Sequence, residues 1–134
     1  MDPKGIHTYR LCMGSNAEEG RTLLKRAIAT LNGAFDVEAV TNTIHTPSLD
    51  DSSCLFYFNA GICLRTELSQ EELKKRLKKM ESDFGRVKGI ELVTLDIDII
   101  TMDGNVIHAD YKKQYVKYLM NQLSSKLCHQ IRKG

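Results

Sequence analysis

One short stretch, residues 93–100, limits what this chain can fold into more than any other. It reads Val-Thr-Leu-Asp-Ile-Asp-Ile-Ile, and its length and its β-branched residues favour a β-strand over a helix. Side chains alternate across a strand, so Asp96 and Asp98 are expected on one face while the leucine and isoleucines beside them occupy the other. The stretch therefore predicts two carboxylates that point the same way.

The paired aspartates allow two interpretations. Alternate residues of a strand lie roughly 6.6 Å apart at their Cα atoms, so the two carboxylates can share one divalent cation or bridge two. For an Asp-x-Asp pair taken alone, a solvated acidic face that discourages strand-edge pairing is the alternative. The rest of the chain must decide between them.

Composition gives the setting but no partner class. With 134 residues, 42% of them hydrophobic and 27% charged, residues 1–134 are expected to form one globular domain with a real core. A net charge of +2 does not indicate a nucleic-acid partner. The absence of a signal-like start and of about 18 consecutive apolar residues predicts no membrane segment.

The cysteines lack metal-site spacing and are predicted to be reduced thiols of a cytoplasmic protein: Cys12, Cys54, Cys63 and Cys128.

Hydrophobic periodicity predicts the order strand, helix, strand, strand, helix, strand. Capping-box spacing marks the start of each helix, at Ser15 with Glu18 and at Ser69 with Glu72. The predicted bounds are strands at 7–13, 35–44, 54–66 and 93–100, helices ending at 32–33 and at Gly85, a surface loop at 45–53, and a short strand at 106–108.

This order predicts an α+β fold, the ferredoxin-like βαββαβ sandwich, with an antiparallel sheet and helices on one face. An extra C-terminal element follows, either helix or strand. Phe56 and Phe58 are expected to pack beneath the helices, and Tyr57 and Asn59 to share the open face with the paired aspartates.

Several short motifs, in this order, resemble the 6-hydroxymethyl-7,8-dihydropterin pyrophosphokinase family of folate biosynthesis. In that family, diphosphate passes from Mg-ATP to the pterin hydroxymethyl group and AMP leaves. The matching pieces are Gly14-Ser15-Asn16, Thr46-Pro47, Tyr57-x-Asn59-Ala60, Glu81 with Gly85-Arg86, Thr94-Leu95-Asp96-Ile97-Asp98-Ile99, and His108.

The resemblance implies a role for each matching residue. Asp96 and Asp98 would hold two Mg²⁺ ions beneath the triphosphate, and Arg86 would join them as a catalytic group. The nucleotide would contact Glu81, Arg86, Lys88 and His108, and the pterin would contact Thr46, Pro47, Leu49, Tyr57 and Asn59.

The chain also departs from the family pattern. The family's Arg-Trp-Gly-Pro-Arg loop is missing, with Val93 at the place of its last arginine, and Gln114 stands where another arginine is usual. Lys88, Lys112 or Lys113 are candidate substitutes. A lysine, however, offers a point charge where arginine offers a fork.

The sequence thus favours a pyrophosphokinase that binds small molecules and neither nucleic acid nor membrane. The alternative is a relative that binds nucleotide or pterin with little or no turnover. A less favoured third hypothesis is an RNA-binding module, because Phe56-Tyr57-Phe58 resembles a base-stacking strand. Asp96 and Asp98 would repel an RNA backbone.

Overall fold

A computed structural model describes residues 5–47 and 56–133. In these ranges, three helices and a single six-stranded antiparallel sheet follow one another along the chain. The elements are β1 (His7–Ser15), α1 (Gly20–Ala34), β2 (Asp36–Val40), β3 (Ile44–Pro47), β4 (Phe56–Thr66), α2 (Gln70–Asp83), β5 (Asp96–Met102), β6 (Asn105–Val106), a 3₁₀ turn (Ala109–Lys112) and α3 (Gln114–Lys133). The strand order is β2-β4-β1-β5-β6, and β3 continues the β2 edge by pairing with β4. The α+β ferredoxin-like prediction is confirmed.

The main core lies between the sheet and the two helices α1 and α2. The alternation expected for residues 93–100 holds, because Leu95, Ile97 and Ile99 are buried in this core. Complete burial of one such side chain stabilises the fold by about 1.5–3 kcal/mol. The predicted capping box of α2 is also confirmed: Ser69 N donates to Glu72 Oε1 and Glu72 N donates to Ser69 Oγ.

Helix α3 packs on the opposite face of the sheet and builds a second core there. Its apolar stripe, which includes Val116, Leu119 and Leu123, covers Cys12 and Cys63. The extra C-terminal element is therefore a helix. The face expected to be open is partly covered, so the residues on it line a pocket beside α3.

The predicted strand at 35–44 is wrong in its extent. It divides into β2 and β3 because Thr41 leaves the regular ladder: Thr41 N donates to Gly61 O, and Thr41 Oγ1 accepts from Gly61 N. Residues 45–47, predicted as loop, belong to β3. This strand brings Thr46 opposite Tyr57.

The capping box predicted at Ser15 and Glu18 is also wrong. Ser15 is the last residue of β1, and its hydroxyl accepts from Ala17 N and donates to Val93 O. Helix α1 starts later, at Gly20, without a side-chain cap. A Cβ at Gly20 would lie 2.7 Å from the Phe58 ring, so any other residue there would require this ring to shift.

Smaller differences concern edges and ends. Phe56 is 54% exposed and packs against His45 at the sheet edge, so it is not a core residue. Strand β5 starts at Asp96, and the short strand β6 ends at Val106. Cys12 and Cys63 are buried free thiols and Cys128 is an exposed one, while Cys54 falls outside the described residues. In the described part of the chain, no helix combines the length and apolarity needed to cross a bilayer.

Candidate active site

The paired aspartates lie at the start of β5, next to the end of β1. In the β1–β5 pairing, Asp96 is opposite Gly14 and Asp98 is opposite Cys12. Both carboxylates face a pocket of about 40 Å³ on the α3 side of the sheet. The pocket is lined by Cys12, Met13, Gly14, Tyr57, Asn59, Asp96, Asp98, Ile100, Asp110, Tyr115 and Val116.

The pocket concentrates negative charge. Burial, followed by repulsion from Asp96 and Asp110, raises the pKa of Asp98 to about 7. Its side chain is only 27% exposed, so water screens this repulsion incompletely. Burial, followed by repulsion from Asp98 and Asp96, raises the pKa of Cys12 to about 12, which keeps its thiol protonated and a poor metal ligand. Carboxylate oxygens facing one another in this way suit a hard divalent cation.

Arg86 places a positive charge at one side of the pair. Its Nη1 lies 3.4 Å from Asp96 Oδ1 and donates to Leu95 O at 3.0 Å. Glu81, at the end of α2, supports this arrangement: its Oε2 accepts from Ile97 N at 2.7 Å, and its Oε1 lies 4.0 Å from Arg86 Nη1. Its side chain is 5% exposed. Glu81 therefore ties α2 to the start of β5, and its contact with a nucleotide stays a prediction.

His108 reaches the other side of the pair through the β5–β6 hairpin. Ile107 N donates to Ile100 O, which returns the chain alongside β5 and puts His108 Nε2 3.7 Å from Asp98 Oδ1. His108 Nδ1 accepts from Asp110 N at 3.0 Å, and this bond assigns the hydrogen of a neutral ring to Nε2. Ligand atoms of Asp98, His108 and Asp110 lie within 4.8 Å of one another. In the assigned tautomer, however, Nε2 carries the hydrogen and lies near the Asp98 carboxylate, so it is a donor and not a metal ligand.

A buried amide lies beside the acidic pair. Asn59 in β4 donates from Nδ2 to Thr46 Oγ1 at 2.6 Å, which fixes the orientation of its side chain. A Cβ at Gly14 would come within 2.8 Å of Asn59 Oδ1, so only glycine leaves room for that oxygen. Tyr57, two residues before Asn59, lines the same pocket. An amide edge and an aromatic ring thus stand next to the carboxylates.

The remaining predicted site residues are less closely associated with the pocket. Lys88 is exposed in the loop between α2 and β5. Pro47 is the last residue of β3 and pairs with Phe56, and Leu49 falls outside the described residues. Asp110 and Tyr115, which were not among the predicted site residues, line the pocket. The sequence shows that both residues follow His108 closely. It does not show that the 3₁₀ turn bends back toward β5 and brings them to the pocket.

Asn16, the last residue of the Gly14-Ser15-Asn16 motif, has a definite structural role. Its Nδ2 donates to Glu91 O at 2.7 Å, and its Oδ1 accepts from Val93 N at 2.6 Å. Its own backbone N donates to Val93 O at 2.9 Å. Asn16 therefore holds the loop that leads into Asp96 against the end of β1.

A ferredoxin-like α+β sandwich that carries paired carboxylates between an arginine and a histidine has the features of a protein that handles metal-bound phosphate groups. Residues 10–125 match the 7,8-dihydro-6-hydroxymethylpterin-pyrophosphokinase (HPPK) family. The chain belongs to this family of folate-biosynthesis pterin pyrophosphokinases, which use ATP and Mg²⁺. The match spans every predicted site residue, from Thr46 to His108.

Proposed function

We propose that this chain transfers the β,γ-diphosphate of Mg-ATP to the hydroxymethyl oxygen of 6-hydroxymethyl-7,8-dihydropterin, releasing AMP. The observation that carries the proposal is the shared pocket: Asp96 and Asp98 face the same space as Tyr57 and Asn59. A metal-bound triphosphate and a flat heterocycle would therefore meet there. The oxygen of the alcohol loses its proton to solvent and forms a bond to the β-phosphorus, while the bond from that phosphorus to the oxygen retained by AMP breaks.

The acidic pair fits two magnesium ions, because its donors are carboxylate oxygens and their charges are incompletely neutralised by the chain. Asp96 and Asp98 would hold the ions, which when bound supply charge neutralisation for the triphosphate. Arg86, beside Asp96, offers a planar fork to phosphate oxygens. His108 offers its Nε2 hydrogen from the Asp98 side. Positioning and charge stabilisation account for most of the acceleration in phosphoryl transfer.

The pterin would lie against Tyr57, with its polar edge at Asn59. The bond from Asn59 Nδ2 to Thr46 Oγ1 holds the amide in one orientation, with Oδ1 directed toward Gly14. Tyr115, at the start of α3, supplies a second aromatic ring in the pocket.

A second candidate function is ligand binding with little turnover. The loop between α2 and β5 exposes three aliphatic side chains, Val87, Ile90 and Leu92, and its end is held at Val93 by Asn16. Apart from Arg86 at its start, this loop therefore brings no arginine to the phosphates. An arginine that meets a transferring phosphoryl group can contribute about 10³-fold or more in rate.

Calorimetry combined with an AMP assay tests these two candidates. Asn59→Ala should weaken binding of the pterin by about tenfold, the effect of losing a buried hydrogen bond, and change the affinity for the ATP analogue α,β-methylene-ATP much less. Asn42→Ala, an exposed asparagine between β2 and β3, is the matched control. Equal losses for both ligands would contradict the role assigned to Asn59. Tight binding of both substrates without AMP release would favour the second candidate.

A further inference from the structure

Positive groups lie on both sides of the acidic pair. Arg86 lies on one side. Lys113 lies on the other side, at the end of a chain of contacts that leads away from Asp98. His108 Nε2 lies 3.7 Å from Asp98 Oδ1, His108 Nδ1 lies 4.0 Å from Asp110 Oδ2, and Lys113 Nζ lies 3.2 Å from Asp110 Oδ1. Asp110 itself lines the pocket. The Lys113 ammonium is thus one carboxylate away from the pocket.

We propose that Lys113 is a second polyphosphate-binding cation of this site, and that Asp110 holds its ammonium beside the pocket until the polyphosphate arrives. The inference rests on the proposed function and names a residue for it. On binding, Lys113 exchanges the Asp110 carboxylate for phosphate oxygens. A compact ammonium with three donors can contact more than one such oxygen.

The other candidate lysines are placed differently. Lys88 is exposed in the loop before β5, and Lys112 is exposed on the 3₁₀ turn. Lys113 is partly buried, with 38% of its side chain accessible, and its ion-pair partner lies on the pocket wall. Of these three lysines, Lys113 is the one paired with a carboxylate that lines the pocket.

The position of Lys113 along the chain supports an anionic ligand. It directly precedes α3, and Lys117 N donates to Lys113 O in the first turn of that helix. A positive charge at a helix N-terminus is unfavourable, because the helix dipole is positive there. Within α3 no acidic residue of the first turn offsets it, and Asp110, in the preceding 3₁₀ turn, is the carboxylate that does. A phosphate near the pocket-lining residues Tyr115 and Val116 would be attracted by both the lysine and the helix terminus.

Calorimetry with two ligands that differ in phosphate number tests the inference. In the presence of Mg²⁺, Lys113→Met should bind α,β-methylene-ATP about tenfold more weakly than the wild-type chain, the effect of a charge-assisted hydrogen bond that replaces an existing ion pair. Affinity for AMP, measured by competition, should stay within about twofold. Lys112→Met should resemble the wild type for both ligands, and Lys113→Arg should recover most of the loss.

The Asp110→Asn variant tests whether Asp110 holds the Lys113 ammonium. Unlike Lys113→Met, this variant should not lose affinity for the analogue. It frees the ammonium and removes a negative charge near Asp98, so affinity for the analogue should equal or exceed that of the wild type. A tenfold loss would overturn this role. Denaturation curves of each variant establish that the fold is intact; removing a cation before α3 does not weaken that helix.

The possible results separate the two proposals. Wild-type affinity for the analogue in Lys113→Met, or equal losses for the analogue and AMP, would overturn the inference while the proposed function stands. Failure of the wild-type chain to bind the Mg²⁺ complex of the analogue would overturn both.

Discussion

Replacing Asp98 by asparagine should stabilise the metal-free protein above neutral pH while removing a proposed metal ligand. Asp98 has its pKa raised from 3.8 to about 7, mainly by burial and by repulsion from Asp96. The folded state therefore binds this proton more tightly than the unfolded chain does. The free energy of unfolding therefore falls as the pH rises from about 4 to about 7, where Asp98 loses its proton. Above that range the buried charge of Asp98 destabilises the fold by a constant amount.

The magnitude follows from the size of the shift. About three pKa units correspond to about 4 kcal/mol, and the partial exposure of the side chain, 27%, reduces this through solvent screening to about 2 kcal/mol. Asp98→Asn should therefore raise the free energy of unfolding by about 2 kcal/mol at pH 8 and by much less at pH 4.5.

Urea denaturation in chelating buffer at the two pH values measures this difference. Asp103→Asn is the matched control, because the pKa of Asp103 is lowered by its bonds from Thr8 N and His7, so this variant should be destabilised or neutral at pH 8. Adding Mg²⁺ should stabilise the wild type more than Asp98→Asn, because a ligand stabilises the state that binds it. A variant that loses stability at pH 8, or gains equally at both pH values, would refute the reasoning.

Two further predictions concern residues that position the site. Glu81→Ala should lower the free energy of unfolding by about 2–3 kcal/mol, because the buried Ile97 N–H loses its acceptor; Glu81→Gln keeps an acceptor and should cost less, and equal costs in urea denaturation would contradict this explanation. Asn16→Ala should speed hydrogen exchange at the Val93 amide by at least about tenfold, whereas Asn16→Asp retains the accepting oxygen and should largely preserve protection. Unchanged exchange in Asn16→Ala would show that the side chain does not hold the loop.

The features predicted well are those determined by local periodicity. Residues 93–100 alternate as expected because burying Ile97 and its apolar neighbours requires the aspartates to face the other way. The start of α2 was predictable because both halves of its capping box, Ser69 and Glu72, are three residues apart and need no distant partner. The ordered motifs predict the same family that the match over residues 10–125 shows.

The features that were missed depend on contacts between distant parts of the chain. Ser15 has the spacing of a helix cap, but its hydroxyl bonds to Val93 O, 78 residues away. The break between β2 and β3 arises from Thr41, which bonds to Gly61 on the neighbouring strand. Asp110 joins the site because a hairpin and a 3₁₀ turn return the chain to β5. Single-sequence periodicity carries no information on these pairings.

Product analysis tests the central proposal most directly. The purified chain is incubated with Mg-ATP and 6-hydroxymethyl-7,8-dihydropterin, and AMP and the pterin diphosphate are quantified together by mass spectrometry. The account predicts the two products in equal amounts, no product with chelator present, and a loss of at least about 10²-fold in rate for Asp96→Asn. Product formation that is unaffected by chelator or by Asp96→Asn, or release of ADP in place of AMP, would contradict it.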